Sequence, residues 1–303
     1  MRLEGIHHIT AITGDAPRNV DFYTRVLGLR LTAKSVNQDD PGVYHLFYGD
    51  EHAQPGADLT FFEYPGAKPG RPGAGMVHRI VHRVGSEDAI AFWADRLAAE
   101  GVPTTREGAT IRFADPEGLE HELIVDGSGE EPLVAQHPEI PTEHALRGFA
   151  GVRAYSGDPD RSNEFLEALG FEPGWVARGD SRTGRYEYDQ APPGAGVPGA
   201  GTVHHVAWAS QPEEHAAWRE RAAAAGARPT PIIERFYFKS IYFREPSGVL
   251  FEIATIGPGF TADEPLESLG ERLSLPPDFE GIREQVEPML TPIRNPRESW
   301  SRT

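Results

Sequence analysis

Residues 111–122 read IRFADPEGLEHE and residues 241–252 read IYFREPSGVLFE. Phe113, Pro116, Gly118 and Glu122 align with Phe243, Pro246, Gly248 and Glu252 without a gap. Each stretch alternates apolar and polar residues, turns at Pro-x-Gly and alternates again, which is the pattern of a β-hairpin. The likeness extends upstream. Residues 77–84 (VHRIVHRV) match 203–210 (VHHVAWAS), and a helical stretch follows each. The first of these, 86–100, opens on Ser86 as N-cap and stops at Gly101; the second, 211–225, stops at Gly226.

Two further stretches match each other. Residues 5–28 and 148–170 share Gly14-Asp15, Arg18, Phe22 and Leu27-Gly28 with Gly157-Asp158, Arg161, Phe165 and Leu169-Gly170. Each reads as a strand, a helix with an acidic N-cap and a Gly stop. The chain is therefore expected to be an α+β protein of four β-α-β-β-β modules, starting near residues 5, 76, 148 and 201. They form two tandem halves, residues 1–140 and 141–303, whose sheets curl into half-open barrels around a cup. Residues 127–147 read as the link, and a Pro-rich tail from about residue 275 is expected to wrap the surface with one short helix. Two Gly/Pro loops, 65–75 and 192–201, read as linkers rather than lids.

Composition limits the chemistry. The 303 residues include no cysteine, which excludes disulfides, thiolate metal sites, iron–sulfur clusters and a cysteine nucleophile. Twelve histidines remain for any metal site. The net charge of −17 argues against nucleic-acid or anionic-membrane partners. No apolar run is long enough to span a bilayer, and Met1-Arg2-Leu3-Glu4-Gly5 does not open a secretory signal, so a cytoplasmic location is expected.

The repeats also single out a candidate site. Alternation puts His8, Thr10 and Ile12 on one face of the first strand, and His205 and Ala207 on one face of the fourth module's first strand. Glu252 lies in an otherwise largely apolar strand, where a lone carboxylate is costly unless paired or metal-bound. The second module has Arg79 at the position of His205, and the third has Gly151 at that of His8, so the first and fourth modules alone retain His8, His205 and Glu252. Two imidazoles and one carboxylate form the facial triad of non-haem Fe(II), and zinc uses the same groups. Read singly, each His-His pair is also compatible with core or surface packing.

The chain resembles the vicinal-oxygen-chelate superfamily, the glyoxalase, bleomycin-resistance and extradiol-dioxygenase group. Within it the chain is similar to ring-cleaving dioxygenases acting on hydroquinones. IHHITAITGDAPRNVDFYTRVLGLRL, YHLFYGDEHAQPGADLTFFEYP, EHALRGFAG, GTVHHVAWA, GVLFE and GFTADEPLESLG carry the match, in order, over nearly the whole chain. The resemblance implies Fe(II) on His8, His205 and Glu252, with His7, Thr10, His204, Arg235 and Tyr242 around it. It implies a diphenol of hydroquinone or catechol type and O2 as substrates, with both oxygen atoms entering the product. Tyr44, His45 and Phe236 are candidate pocket residues. Homo-oligomerisation is compatible with the sequence. A rival reading is a non-redox isomerase or thiol transferase holding Mn, Zn or Ni, with Glu63 as a fourth ligand; another is a metal-free protein that binds small aromatics.

Overall fold

The computed structural model describes residues 1–298 and 300. Module one comprises β1 (Ile6–Thr13), α1 (Ala16–Asp21), β2 (Arg30–Asn37), β3 (Asp40–Gly49) and β4 (Asp58–Glu63). Asp15 caps α1 by accepting from the Arg18 amide. Module two comprises β5 (Met76–Val84), α2 (Glu87–Ala99), β6 (Thr104–Glu107), β7 (Thr110–Ala114) and β8 (Glu120–Val125), with Ser86 capping α2. Module three comprises β9 (Phe149–Ser156), α3 (Asn163–Ala168), β10 (Val176–Arg178) and β11 (Thr183–Gln190). Module four comprises β12 (Val203–Ser210), α4 (His215–Ala224), β13 (Ile233–Glu234), β14 (Lys239–Arg244) and β15 (Leu250–Thr255).

Module three departs from the expected pattern by one strand. Its outermost strand is reduced to a single bridge, Glu172 to Val176. Pro173 and Gly174 turn the chain there, and proline has no amide to continue a ladder.

The strands form two sheets, ordered β13-β14-β15-β12-β1-β4-β3-β2 and β10-β11-β9-β5-β8-β7-β6. Modules one and four thus build the first sheet, and modules two and three the second. Both sheets take one module from each side of residue 140. The central joints, β1 with β12 and β5 with β9, are antiparallel, and each carries two β-bulges. The main core fills the space between helices and sheets, with Trp93, Trp208, Trp218 and Tyr186 fully buried. A smaller apolar cluster, including Phe47, Ala207, Tyr237 and Phe238, lies around the cup of the first sheet.

The two Gly/Pro loops pair with each other. Gly70 donates to Ala200 at 2.9 Å and Arg71 to Val197 at 2.7 Å. The backbones approach so closely that a Cβ on Gly73 would lie 2.3 Å from the Gly196 nitrogen, a contact that only glycine avoids. The tail holds two single-turn helices, α5 (Pro277–Glu280) and α6 (Arg283–Val286), rather than one, and buries Leu275, Val286 and Leu290. No helix is long and apolar enough to cross a membrane among the described residues.

Candidate metal centre

His8 on β1, His205 on β12 and Glu252 on β15 meet in the cup of the first sheet, all buried. The register sets this meeting: Thr10 lies opposite His205, and Ala207 pairs with both His8 and Glu252. His8 Nε2 lies 3.2 Å from His205 Nε2 and 3.2 Å from Glu252 Oε2, and His205 Nε2 lies 2.9 Å from Glu252 Oε2. Three neighbouring corners of an octahedron with bonds of about 2.1 Å lie about 3.0 Å apart. The observed triangle therefore fits three facial ligands to one divalent ion. Glu252 Oε1 accepts from the Ser240 hydroxyl at 2.5 Å, whereas Oε2 is buried without a hydrogen-bond donor. A buried carboxylate oxygen is costly in that state, and a cation at the centre of the triangle satisfies it.

Neighbouring groups orient the imidazoles. His7 Nε2 contacts the Thr255 carbonyl at 3.1 Å, and a carbonyl only accepts, so Nε2 carries the proton. Burial and the nearby His8 lower the His7 pKa to about 3, so its ring is neutral and Nδ1 is an acceptor. His8 Nδ1, 2.9 Å away, must then be the donor. In the neutral ring this leaves His8 Nε2 with a bare lone pair facing the cup. Across the joint, His204 Nδ1 lies 2.8 Å from His205 Nδ1; although one edge of the ring reaches solvent, partial desolvation and the neighbouring His205 lower the His204 pKa to about 4.

Both contacts join sequence neighbours, whose side chains point to opposite faces of a regular strand. Bulges make them possible. On β1 the step from Ile6 to His8 faces the single step from Trp208 to Ala207, so His7 is the extra residue. On β12 the step from His205 to Val203 faces Thr10 to Ala11, so His204 is the extra residue. Bulges re-aim side chains, and here they bring each pair together.

The remaining expected residues divide. Thr10 Oγ1 lies 2.9 Å from His205 Nε2 and 2.8 Å from Thr60 Oγ1. Tyr242 sits edge-on to His205, and Arg235 lies over the Tyr242 ring at 5.6 Å. His45 lines the pocket between Phe47 and Phe62, at centroid distances of 4.0 and 4.4 Å, and reaches Thr60 at 3.0 Å. Tyr44 faces the opposite side of β3, toward the C-terminal tail. Phe236 packs on Tyr237 with φ 67 and does not line this pocket; Phe238 does, with its ring 5.2 Å from that of His8. Alternation along β14 carried the missed signal, because Phe238 and Ser240 share the face of Tyr242. Glu63 lies outside the site. Its Oε1 accepts from the Ala16 amide at 3.0 Å and the Thr291 hydroxyl at 2.9 Å. On β4 the cup face belongs to Thr60 and Phe62.

The profile of the Glyoxalase/Bleomycin resistance protein/Dioxygenase superfamily matches residues 5–123 and 148–253. The chain belongs to this superfamily. Within the superfamily, it is 42% identical to MhqO of Bacillus subtilis, named as a candidate ring-cleaving dioxygenase, over 95% of this chain and 96% of that one. It is 30% identical to the chlorohydroquinone/hydroquinone 1,2-dioxygenase of Sphingobium indicum, over 94% and 95%. The crystal structure of a candidate dioxygenase from Bacillus subtilis superposes with a TM-score of 0.88 at 38% identity, covering 97% of this chain and 98% of that one.

Proposed function

We propose that the chain is a non-haem Fe(II) ring-cleaving dioxygenase that inserts both atoms of O2 into a hydroquinone- or catechol-type diphenol. The triangle of His8 Nε2, His205 Nε2 and Glu252 Oε2 carries this reading. The names of the similar proteins support the reaction class. In this reading His8, His205 and Glu252 hold the iron, which supplies the one-electron chemistry that lets ground-state O2 react with a closed-shell diphenol.

The other roles belong to the protein. Two neutral imidazoles and one carboxylate offset one charge of a divalent ion, leaving one for a phenolate. Arg235 presents a guanidinium at the pocket wall and favours an anionic oxygen there. Burial and the nearby Glu252 carboxylate push the Tyr242 pKa up, so its hydroxyl stays protonated and serves as a donor. Burial pushes the His45 pKa well below 6.5, so its ring stays neutral and acts as a hydrogen-bonding group at the pocket wall, with Thr60 on Nε2. Phe47, Phe62 and Phe238 exclude water and give an aromatic ring flat surfaces to pack against.

The isomerase alternative called for Glu63 as a fourth ligand, and Glu63 caps α1 instead. The test is anaerobic iron loading followed by separate addition of hydroquinone, catechol and a methylglyoxal–thiol adduct, with dissolved O2 recorded. Iron-dependent O2 uptake with a diphenol is expected. No uptake by fully loaded protein contradicts the proposal.

A further inference from the structure

The cavity lined by His8 and His205 is about 40 Å³. A cavity of roughly 150 Å³ is what holds a benzene molecule. A one-ring diphenol, the substrate class of the proposed function on which this inference rests, therefore enters only if a wall moves. The floor is not that wall, because β1, β12 and β15 are buried strands held in register on both sides. His45, Phe47 and Phe62 also stand on paired strands.

One wall is held differently. The tip of the β2–β3 hairpin, Gln38 and Asp39, reaches from module one to the irregular segment between β13 and β14 of module four. Gln38 Nε2 donates to the Arg235 carbonyl at 2.9 Å. Arg235 Nη1 and Nη2 donate to the two Asp39 carboxylate oxygens at 3.2 and 2.9 Å. These three hydrogen bonds lie outside any strand ladder. The Asp39 side chain is 73% exposed, so water screens its ion pair. The tip follows a register irregularity between Val36 and Asn37 and holds its own turn through the Asp39 amide on Asn37 Oδ1. It can swing without unzipping the sheet. Gln38, Asp39, Arg235, Tyr237, Phe238 and Tyr242 all line the cavity, so moving the tip enlarges it.

We propose that Gln38 and Asp39 form a clasp on Arg235 that opens to admit a one-ring substrate and closes over it. A clasp sets the barrier for entry and exit alike, so loosening it speeds both while affinity stays nearly constant. The test mixes anaerobic iron-loaded protein with 4-nitrocatechol in a stopped-flow instrument and follows the ligand's absorbance. In Asp39→Asn both kon and koff are expected to rise by about two- to fivefold, with Kd nearly unchanged. Unchanged rates overturn the clasp. So does a weaker Kd carried by koff alone, which would make Asp39 a residue that positions Arg235 for binding. If loaded wild-type protein binds no 4-nitrocatechol, the substrate class is wrong, and the clasp is judged by amide hydrogen exchange without ligand. The double variant Gln38→Ala/Asp39→Asn should then exchange faster at residues 37–40 and 235–238, with β1 and β12 unchanged. Equal exchange there overturns the proposal.

Discussion

In the first sheet the last-strand carboxylate, Glu252, faces His8 and His205; in the second its counterpart, Glu122, faces arginines. Arg79 stands at the position of His205 and donates to Glu122 at 3.2 Å, and Arg112, at the position of Tyr242, donates at 2.8 Å. Arg153, at the position of Thr10, is tied to Asp189 and Glu187. Gly151 stands at the position of His8, and a Cβ there would lie 2.6 Å from the Arg185 carbonyl. The bulges persist: His78 and Ala150 are the extra residues on β5 and β9, matching His204 and His7. The repeated scaffold thus supplies a bulged joint and a carboxylate in both sheets. The groups facing that carboxylate separate a candidate metal cup from an ion-pair cluster. Glu122 has its guanidinium donors, whereas Glu252 Oε2 has none.

The largest predicted effect breaks this contrast at its carboxylates. Glu252→Gln should lower iron affinity and turnover by more than the roughly 10–100-fold typical of losing an outer partner. Glu122→Gln should leave both unchanged, as read by iron content and O2 uptake. Next is His7→Ala, expected to weaken iron binding by roughly 10–100-fold with the fold intact, because His8 loses the acceptor that fixes its tautomer. Competition with a chromophoric chelator measures this, and unchanged affinity would remove His7 from the account.

The second cup should respond through stability alone. Arg79→Ala strips donors from Glu120 and Glu122 and should cost about 1–3 kcal/mol in urea unfolding, with iron content unaltered. A smaller effect appears in acid. The His78 contact, followed by Arg79, lowers the Glu120 pKa to about 2, and Arg153 with His78 lowers Asp189 to about 2. Their stabilisation is full above the unfolded values of about 4 and is lost as pH falls toward 2. The wild-type melting temperature should drop over that window, and Asp189→Asn should flatten the drop.

Much of this was legible in the sequence, because the hairpin repeats, the His-His pairs and Glu252 are local patterns. Pairing was legible only at the metal, where His8, His205 and Glu252 require modules one and four to meet. No local signal states which strands join them. Side-chain direction was legible only where register was regular. It failed at the bulges, where His7 and His204 turn toward their neighbours. For Tyr44 and Phe236 packing was the readier reading, and it holds: Tyr44 faces the other side of β3, and the positive φ of Phe236, in the irregular segment before β14, breaks the alternation that Phe238 keeps. Glu63 was ambiguous, since one step along β4 separates the cup face from the face toward α1.

Anaerobic crystals soaked in Fe(II) and measured at the iron absorption edge test the central claim most directly. One anomalous peak per chain is predicted, about 2.0–2.2 Å from His8 Nε2, His205 Nε2 and Glu252 Oε2. A peak in the second cup, a peak bound to Glu63, or no peak at the triad in protein that takes up O2 with a diphenol would contradict it.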